Sequence, residues 1–213
     1  WEFDEGLSNL GQEIIKDVLI VHDSVLFVVR SKSVVEFRNE VKHIYKPENI
    51  EIQSTEFNFI HKLNGKSFYI GSSAGLFQID LNHPKIKGPL NLEVNGRNFV
   101  NEAFISAIND QYDIMWLGTE QGLIKYNQSN QKFNLLTNLG KKDSPLLDDD
   151  IASVYVDDFD NVWLGTWGRG LQILNPEFKL MRSFTAGASN NQDQIYNDFV
   201  HALHLNRRGN ILI

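Results

Sequence analysis

Cysteine is missing from all 213 residues, so the chain has no disulfide, no thiolate zinc site, no iron–sulfur cluster and no cysteine nucleophile. A cysteine-free chain tolerates either redox compartment. The sequence also lacks any run of 18 uncharged apolar residues: its most apolar stretch, Val18 to Val29, is broken at His22 and Asp23, so no membrane-spanning helix is expected within it. Positive charge is scarce as well. Twenty Lys and Arg stand against 27 Asp and Glu, a formal net charge of −7 that gives no general attraction to phosphate backbones or anionic lipid. Nucleic acid is accordingly not expected as a partner.

What the chain does have is an ordinary globular composition, 42% hydrophobic and 22% charged, enough to bury a core without covalent staples. That composition is laid out in repeats. Trp163 to Asn175 repeats Trp116 to Asn127, both repeat Tyr69 to Asp80, and Phe27 to Phe37 is a fainter copy. The aromatic anchors Phe27, Tyr69, Trp116 and Trp163 lie 42, 47 and 47 residues apart, and Gly209 to Ile213 opens a fifth copy.

In the clearest copy, four β-rich runs alternate with turns rich in Asp, Asn and Pro. They are Ile151 to Val156, Val162 to Gly165, Gly170 to Leu174 and Lys179 to Phe184. Four-stranded antiparallel units at a period of about 40 to 50 residues mark the blades of a β-propeller; helical repeats run nearer 34. The expected fold is an all-β propeller with four nearly complete blades, at 14–46, 55–93, 103–137 and 150–185, and an incomplete fifth at 198–213. Tyr69, Trp116 and Trp163 are expected to fill the wedges between blades. Gly71, Gly118 and Gly165, with Gly75, Gly122 and Gly170, permit close approach or positive φ at the hairpins. Closure takes about four to eight blades, and Ile213 falls within what reads as a strand, so the expectation is a segment of a larger propeller.

The pattern Asp-x-x-Asn-x-Trp-Leu-Gly-Thr, a hairpin, then Gly-Leu-x-x-x-Asn resembles the two-component regulator propeller repeat. The likeness is closest at Asp158 to Asn175 and Asp113 to Asn127, fair at Ser67 to Asp80, and weak at Val25 to Phe37, where Arg30 and Ser33 replace Thr and Gly. This resemblance implies a non-catalytic periplasmic ectodomain of a bacterial inner-membrane signalling protein. It also implies small-molecule or oligosaccharide ligands and partners in the remaining blades, the downstream domains and a homodimer. The implied output is a hybrid histidine kinase working through a phosphorelay, or a diguanylate cyclase. The motif itself names no ligand.

Several motifs invite catalytic or cofactor readings that their context opposes. Gly71-Ser-Ser-Ala-Gly75 has the spacing of a nucleophile elbow, but Ser73 aligns with Glu120 in the next unit and no helix pattern follows. Gly165 to Gly170 lacks the Lys and Ser or Thr of a phosphate-binding loop. His201 and His204, three apart on an expected strand, point to opposite faces. Asp148 to Asp150 and Asp157 to Asn161 lack the glycine and glutamate of a calcium loop and read as turns. Asn127-Gln-Ser129 is a formal glycosylation sequon, incidental in a bacterial setting. No metal and no cofactor are expected.

In a meander blade, the hairpin between second and third strands shares a face with the crossover to the next blade. Those crossovers are long, at Lys87 to Ala103, Asn138 to Asp150 and Thr185 to Asp198, and long loops on a rigid scaffold are where binding concentrates. Trp167 and Arg169 in a hairpin suit stacking on a sugar ring and bonding its hydroxyls or a uronate; Arg97, Lys141 and Lys142 lie in neighbouring crossovers. The competing readings are packing of Trp167 between blades, a protein-interaction scaffold, and a propeller lyase or glycosidase. The last would need carboxylates on the first strands, and Phe104 to Ile108, Ile151 to Val156 and Phe199 to Leu205 contain none.

Overall fold

The computed structural model describes residues 14–22, 25–38, 41–47, 55–63, 66–127, 132–138, 144–189, 191–206 and 210–213. Sheet 1 comprises β1 (Ile15–His22), β2 (Val25–Arg30), β3 (Ser33–Arg38) and β4 (Val41–Tyr45); sheet 2 comprises β5 (Phe57–Lys62), β6 (Ser67–Ser72), β7 (Gly75–Asp80) and β8 (His83–Lys87). A small hairpin, β9 (Glu93–Val94) and β10 (Arg97–Asn98), leads to sheet 3, with β11 (Phe104–Asn109), β12 (Ile114–Thr119), β13 (Gly122–Asn127) and β14 (Lys132–Leu136). Sheet 4 has β15 (Ile151–Val156), β16 (Val162–Thr166), β17 (Leu171–Leu174) and β18 (Leu180–Phe184), and a last pair is β19 (His204–Leu205) with β20 (Ile211–Leu212). Every four-stranded sheet pairs its strands in chain order, all antiparallel. This is a series of propeller blades.

The side-chain alternation of a strand explains how one motif joins two blades. Met115 and Leu117 on β12 face back into the core shared with sheet 2, while Trp116 between them faces forward into the core shared with sheet 4. Phe68 and Ile70 likewise face sheet 1, and Tyr69 faces sheet 3. The described residues thus form three apolar cores, each between successive sheets. First strands follow one another through the series, β1 beside β5, β5 beside β11 and β11 beside β15. Ile15, Val18 and Ile20 of β1 are exposed.

The motif glycine is where the next blade comes closest. A Cβ on Gly118 would lie 2.8 Å from the Ile151 carbonyl oxygen, and one on Gly165 would lie 2.4 Å from that of Val200. Real Cβ atoms do not approach so near, so these positions exclude every other residue unless the blades part. In sheet 2 the ring of Phe59 occupies the corresponding space over Gly71.

Two stretches depart from the sequence reading. The run Phe199 to Leu205 is not a continuous first strand. Only His204–Leu205 is a strand, while Phe199 forms an isolated bridge with Trp167 and the Val200 N–H donates to the Thr166 carbonyl (3.0 Å). Its polar backbone is thus engaged by the hairpin of sheet 4. The crossover from sheet 2 to sheet 3 is not plain loop either: Asn95 and Gly96, both at positive φ (52° and 79°), close the β9–β10 hairpin.

Candidate functional site

The two faces of the blade series are built differently. On one face, the turn between first and second strands is organised by an aspartate six residues before the motif tryptophan. Asp157 accepts hydrogen bonds from the backbone N–H groups of Phe159 (2.9 Å) and Asn161 (2.8 Å), the Asn161 amide (2.9 Å) and the Trp163 indole (2.9 Å). Asp110 repeats this with Tyr112, Ile114 and Trp116, the indole at 3.1 Å. Partial burial works against the Asp157 charge, but the donors outweigh it and hold the carboxyl below its usual range. The sequence motif begins at Asp158, yet the structural work falls to Asp157. Its carboxylate is a turn staple, in keeping with the turn reading of Asp157 to Asn161.

On the other face, the hairpins between second and third strands in sheets 2, 3 and 4 are each capped by a buried hydroxyl. Ser72 donates to the Gly75 carbonyl (2.7 Å), Thr119 to that of Gly122 (2.8 Å) and Thr166 to that of Gly170 (2.9 Å). The same oxygens accept the N–H groups of Ala74, Gln121 and Arg169 (3.1, 3.1 and 2.9 Å). The residue after each cap then reaches the segment just before its own sheet's first strand. Ser73 donates to Glu56 (2.8 Å), Glu120 to Ala103 (3.4 Å) and Trp167 to Asp150 (3.1 Å), all through backbone N–H to carbonyl bonds. Ser73, Glu120 and Trp167 are therefore three successive tips on one face, 47 residues apart.

The third tip is elaborated. Its hairpin has one more residue than the others, Trp167-Gly-Arg169 between Thr166 and Gly170, and Gly168 and Gly170 both donate to the Asp198 carbonyl (3.2 and 2.9 Å). Trp167 is 52% exposed. Its ring meets His201 edge-on at 4.3 Å and Phe199 at 5.7 Å, both from the segment that follows sheet 4, and Phe199 is itself 48% exposed. Arg169 is exposed beside it.

Other sequence candidates are dispersed. Arg97, on β10, lies over the Phe99 ring at 5.4 Å in the crossover before sheet 3, while Trp167 has Phe199 and His201 as neighbours beyond sheet 4. Lys141 and Lys142 lie outside the described residues. The sequence reading missed Phe199 and His201, weighing the histidine only with His204 on a strand that does not form there. It weighed Asp150 only within the Asp148 to Asp150 cluster and not as the anchor of the hairpin tip, whose signal was the 47-residue register with Glu56 and Ala103. Burial together with the charges of Glu120 and Asp148 pushes the Asp150 carboxyl up to about 6.

A cleft of about 630 Å³ lies between sheet 4 and the β19–β20 pair, lined by Tyr155, Trp163, Leu171, Phe184 and Ile211 among others. It continues the wedge between blades. Trp116 is only 3% exposed, with Phe178 of the following blade at 5.5 Å and Lys125 at 4.9 Å from its ring, whereas Trp163 borders the open cleft.

No protein-family model matches the chain, and no curated protein matches it in sequence. Its shape has clear relatives. It is similar to the extracellular domain of the putative hybrid two-component system BT4673 from B. thetaiotaomicron, with a TM-score of 0.71 and 16% identity over 92% of this chain and 25% of that one. It is also similar to the extracellular domain of the putative hybrid two-component system BT3049 from the same organism (TM-score 0.68, 17% identity, 92% and 25% covered). A third relative is PorZ, a surface component of the type-IX secretion system of Porphyromonas gingivalis (TM-score 0.67, 13% identity, 90% and 29% covered). The chain spans about a quarter of the length of these proteins. At such identities the likeness fixes the fold, a β-propeller segment.

Proposed function

We propose that this chain is a ligand-sensing segment of a periplasmic propeller ectodomain, part of a bacterial inner-membrane signalling protein of the two-component sensor type. In this reading it is non-catalytic, requires no cofactor and binds a carbohydrate-derived ligand on the crossover face. Any histidine kinase or diguanylate cyclase output and its phosphorelay reside in the rest of the protein, as do the further blades and the dimer contacts. The observation that carries the reading is the solvent-exposed Trp167, held out by a hairpin whose backbone is fixed at Asp150 and Asp198. A rigid exposed indole offers a flat apolar face to a sugar ring at little entropic cost, and Arg169 supplies hydrogen bonds to hydroxyls. Arg97, Lys141 and Lys142 are assigned supporting contacts to a longer ligand.

The test is a thermal-shift and calorimetric screen of the full chain against oligosaccharides, repeated with Trp167→Ala. A saccharide that raises Tm for the parent and not for the variant is the expected result; shifts indifferent to the substitution would sink the site. A protein-docking role is favoured by the exposed Tyr112 and Phe159 at equivalent turns of the opposite face. Such a partner would be lost on Tyr112→Ser with Phe159→Ser and be unaffected by Trp167→Ala.

A further inference from the structure

On the third strand of each sheet, the repeat places an apolar side chain opposite the residue that follows the anchor aromatic. Val35 stands opposite Val28, Phe77 opposite Ile70 and Ile124 opposite Leu117, and Val35, Phe77 and Ile124 are fully buried. In sheet 4 the residue opposite Leu164 is Gln172, and it too is 0% exposed. Packing gives no reason for an amide there, because burying one is unfavourable unless each of its polar atoms finds a partner. Gln172 satisfies one end only. Its Oε1 accepts the Leu147 N–H at 3.1 Å, while its Nε2 has no hydrogen-bond partner among the described residues.

Leu147 belongs to the crossover segment that enters sheet 4. Leu146 before it is buried in the core shared with sheet 3, and Asp150 after it supplies the carbonyl that accepts the Trp167 N–H at 3.1 Å. The β16–β17 hairpin therefore grips this segment at two points, through the Gln172 side chain on β17 and through the Trp167 backbone at the tip. Sheet 4 departs from sheets 2 and 3 in two ways that meet here: its hairpin is one residue longer, and its third strand carries the amide where they carry Phe77 and Ile124.

We infer that Gln172 is a positioning residue for the exposed tip: it fixes Leu147 and, through that segment, the Asp150 carbonyl that holds Trp167, although an apolar side chain would suit the core better. Its bearing on ligand binding rests on the sensor reading of Trp167. The test therefore uses no ligand, so a failed saccharide screen and a failure of this inference are told apart.

The full chain, Gln172→Ile and Gln172→Met are compared near pH 5 by thermal unfolding and by amide exchange in NMR. Both variants restore an apolar residue and should keep or raise Tm. The Leu147 N–H should nevertheless exchange about five- to tenfold faster, the loss of one hydrogen bond. The Trp167 backbone N–H should follow it, while the Glu120 N–H at the tip of sheet 3 stays at the parent rate. Gln172→Glu keeps an acceptor oxygen and, near that pH, a buried carboxyl is uncharged; it should return both rates towards the parent. Unchanged exchange at Leu147 or at Trp167 in the apolar variants overturns the inference. So does a fall in Tm with exchange quickened evenly across sheet 4, the mark of a residue that serves the core alone.

Discussion

Asp157, Asp150 and Trp116 show how single residues are tuned by their place in the repeat. Asp157 is held ionised by its donors, so its folded-state pKa is below the unfolded value near 3.8. It contributes stability above that value, lost as pH falls through the folded one. Asp157→Ala removes the acceptor of the Trp163 indole and of two backbone N–H groups and should cost about 1–3 kcal/mol at neutral pH. Chemical denaturation at neutral pH and again in acid would read the loss and its decrease as the carboxyl protonates. Asp150 runs the other way. Its folded value of about 6 exceeds the unfolded 3.8, so its favourable contribution is complete below the latter and gone once pH rises through the former. Asp150→Asn should therefore raise Tm at neutral pH and leave it nearly unchanged near pH 4. Trp116, enclosed by Phe178 and Lys125, should cost about 3–5 kcal/mol on truncation to Ala, and Trp163, bordering the open cleft, distinctly less.

Within one hairpin, the glycines and the buried hydroxyl act together. Gly170 stands at φ 77°, and a Cβ there would lie 2.0 Å from the Phe184 carbonyl oxygen, so both its conformation and its surroundings exclude a side chain. Thr166→Val keeps the volume but leaves the Arg169 N–H without its acceptor and the Gly170 carbonyl with the backbone N–H of residue 166 alone. A loss of about 1–3 kcal/mol in denaturant titrations is expected, with amide exchange fastest in the loosened hairpin that carries Trp167. Gly165→Ala should be worse than Gly118→Ala, since it meets Ser153 Oγ at 2.2 Å and the Val200 carbonyl oxygen at 2.4 Å, against 2.5 Å to Ser106 Oγ and 2.8 Å to the Ile151 carbonyl oxygen for Gly118. Gly187→Ala, with open space around it, is the control expected to leave Tm unchanged.

Across the whole molecule, stability is distributed by nearest neighbours. Each sheet packs on the next through its own apolar core, so a middle sheet is held on two sides and the first on one. Native-state hydrogen exchange should show β11 to β13 protected most strongly and β1 opening at lower free energy; uniform protection would contradict an additive array. Acid should act across blades as well. His61 on β5 is largely buried beside Asn109 of β11, and desolvation holds its pKa below the ordinary 6.5 despite that neighbour and the Asp17 charge. The unfolded chain takes up this proton first, so the contribution present above about pH 6.5 is lost as pH falls. His61→Gln should flatten the fall in Tm between neutral pH and about pH 5 relative to the parent.

The repeat made the strands, their order within a blade and the forward-facing aromatic legible, because a period of two along each strand and one of 47 between blades are both written in residue type. The Asp157 staple was only half legible: the turn showed in Asp and Asn, but which carboxylate meets the indole depends on the turn's geometry, with Asp160 at φ 62°. Trp167 and Arg169 could be named as tip residues from the hairpin alone. That Trp167 stays in solvent, with Phe199 and His201 against it, depended on where the chain runs after sheet 4. There the Asp198 carbonyl accepts the Gly168 and Gly170 N–H groups and the Thr166 carbonyl accepts that of Val200, in place of the strand that periodicity implied. The sequence by itself determined the blade, since each blade's contacts are local. The company of the exposed tip was decided by tertiary structure, because Trp167 belongs to the repeat of sheet 4 while Phe199 and His201 come from the chain that follows it, and no local pattern encodes their meeting.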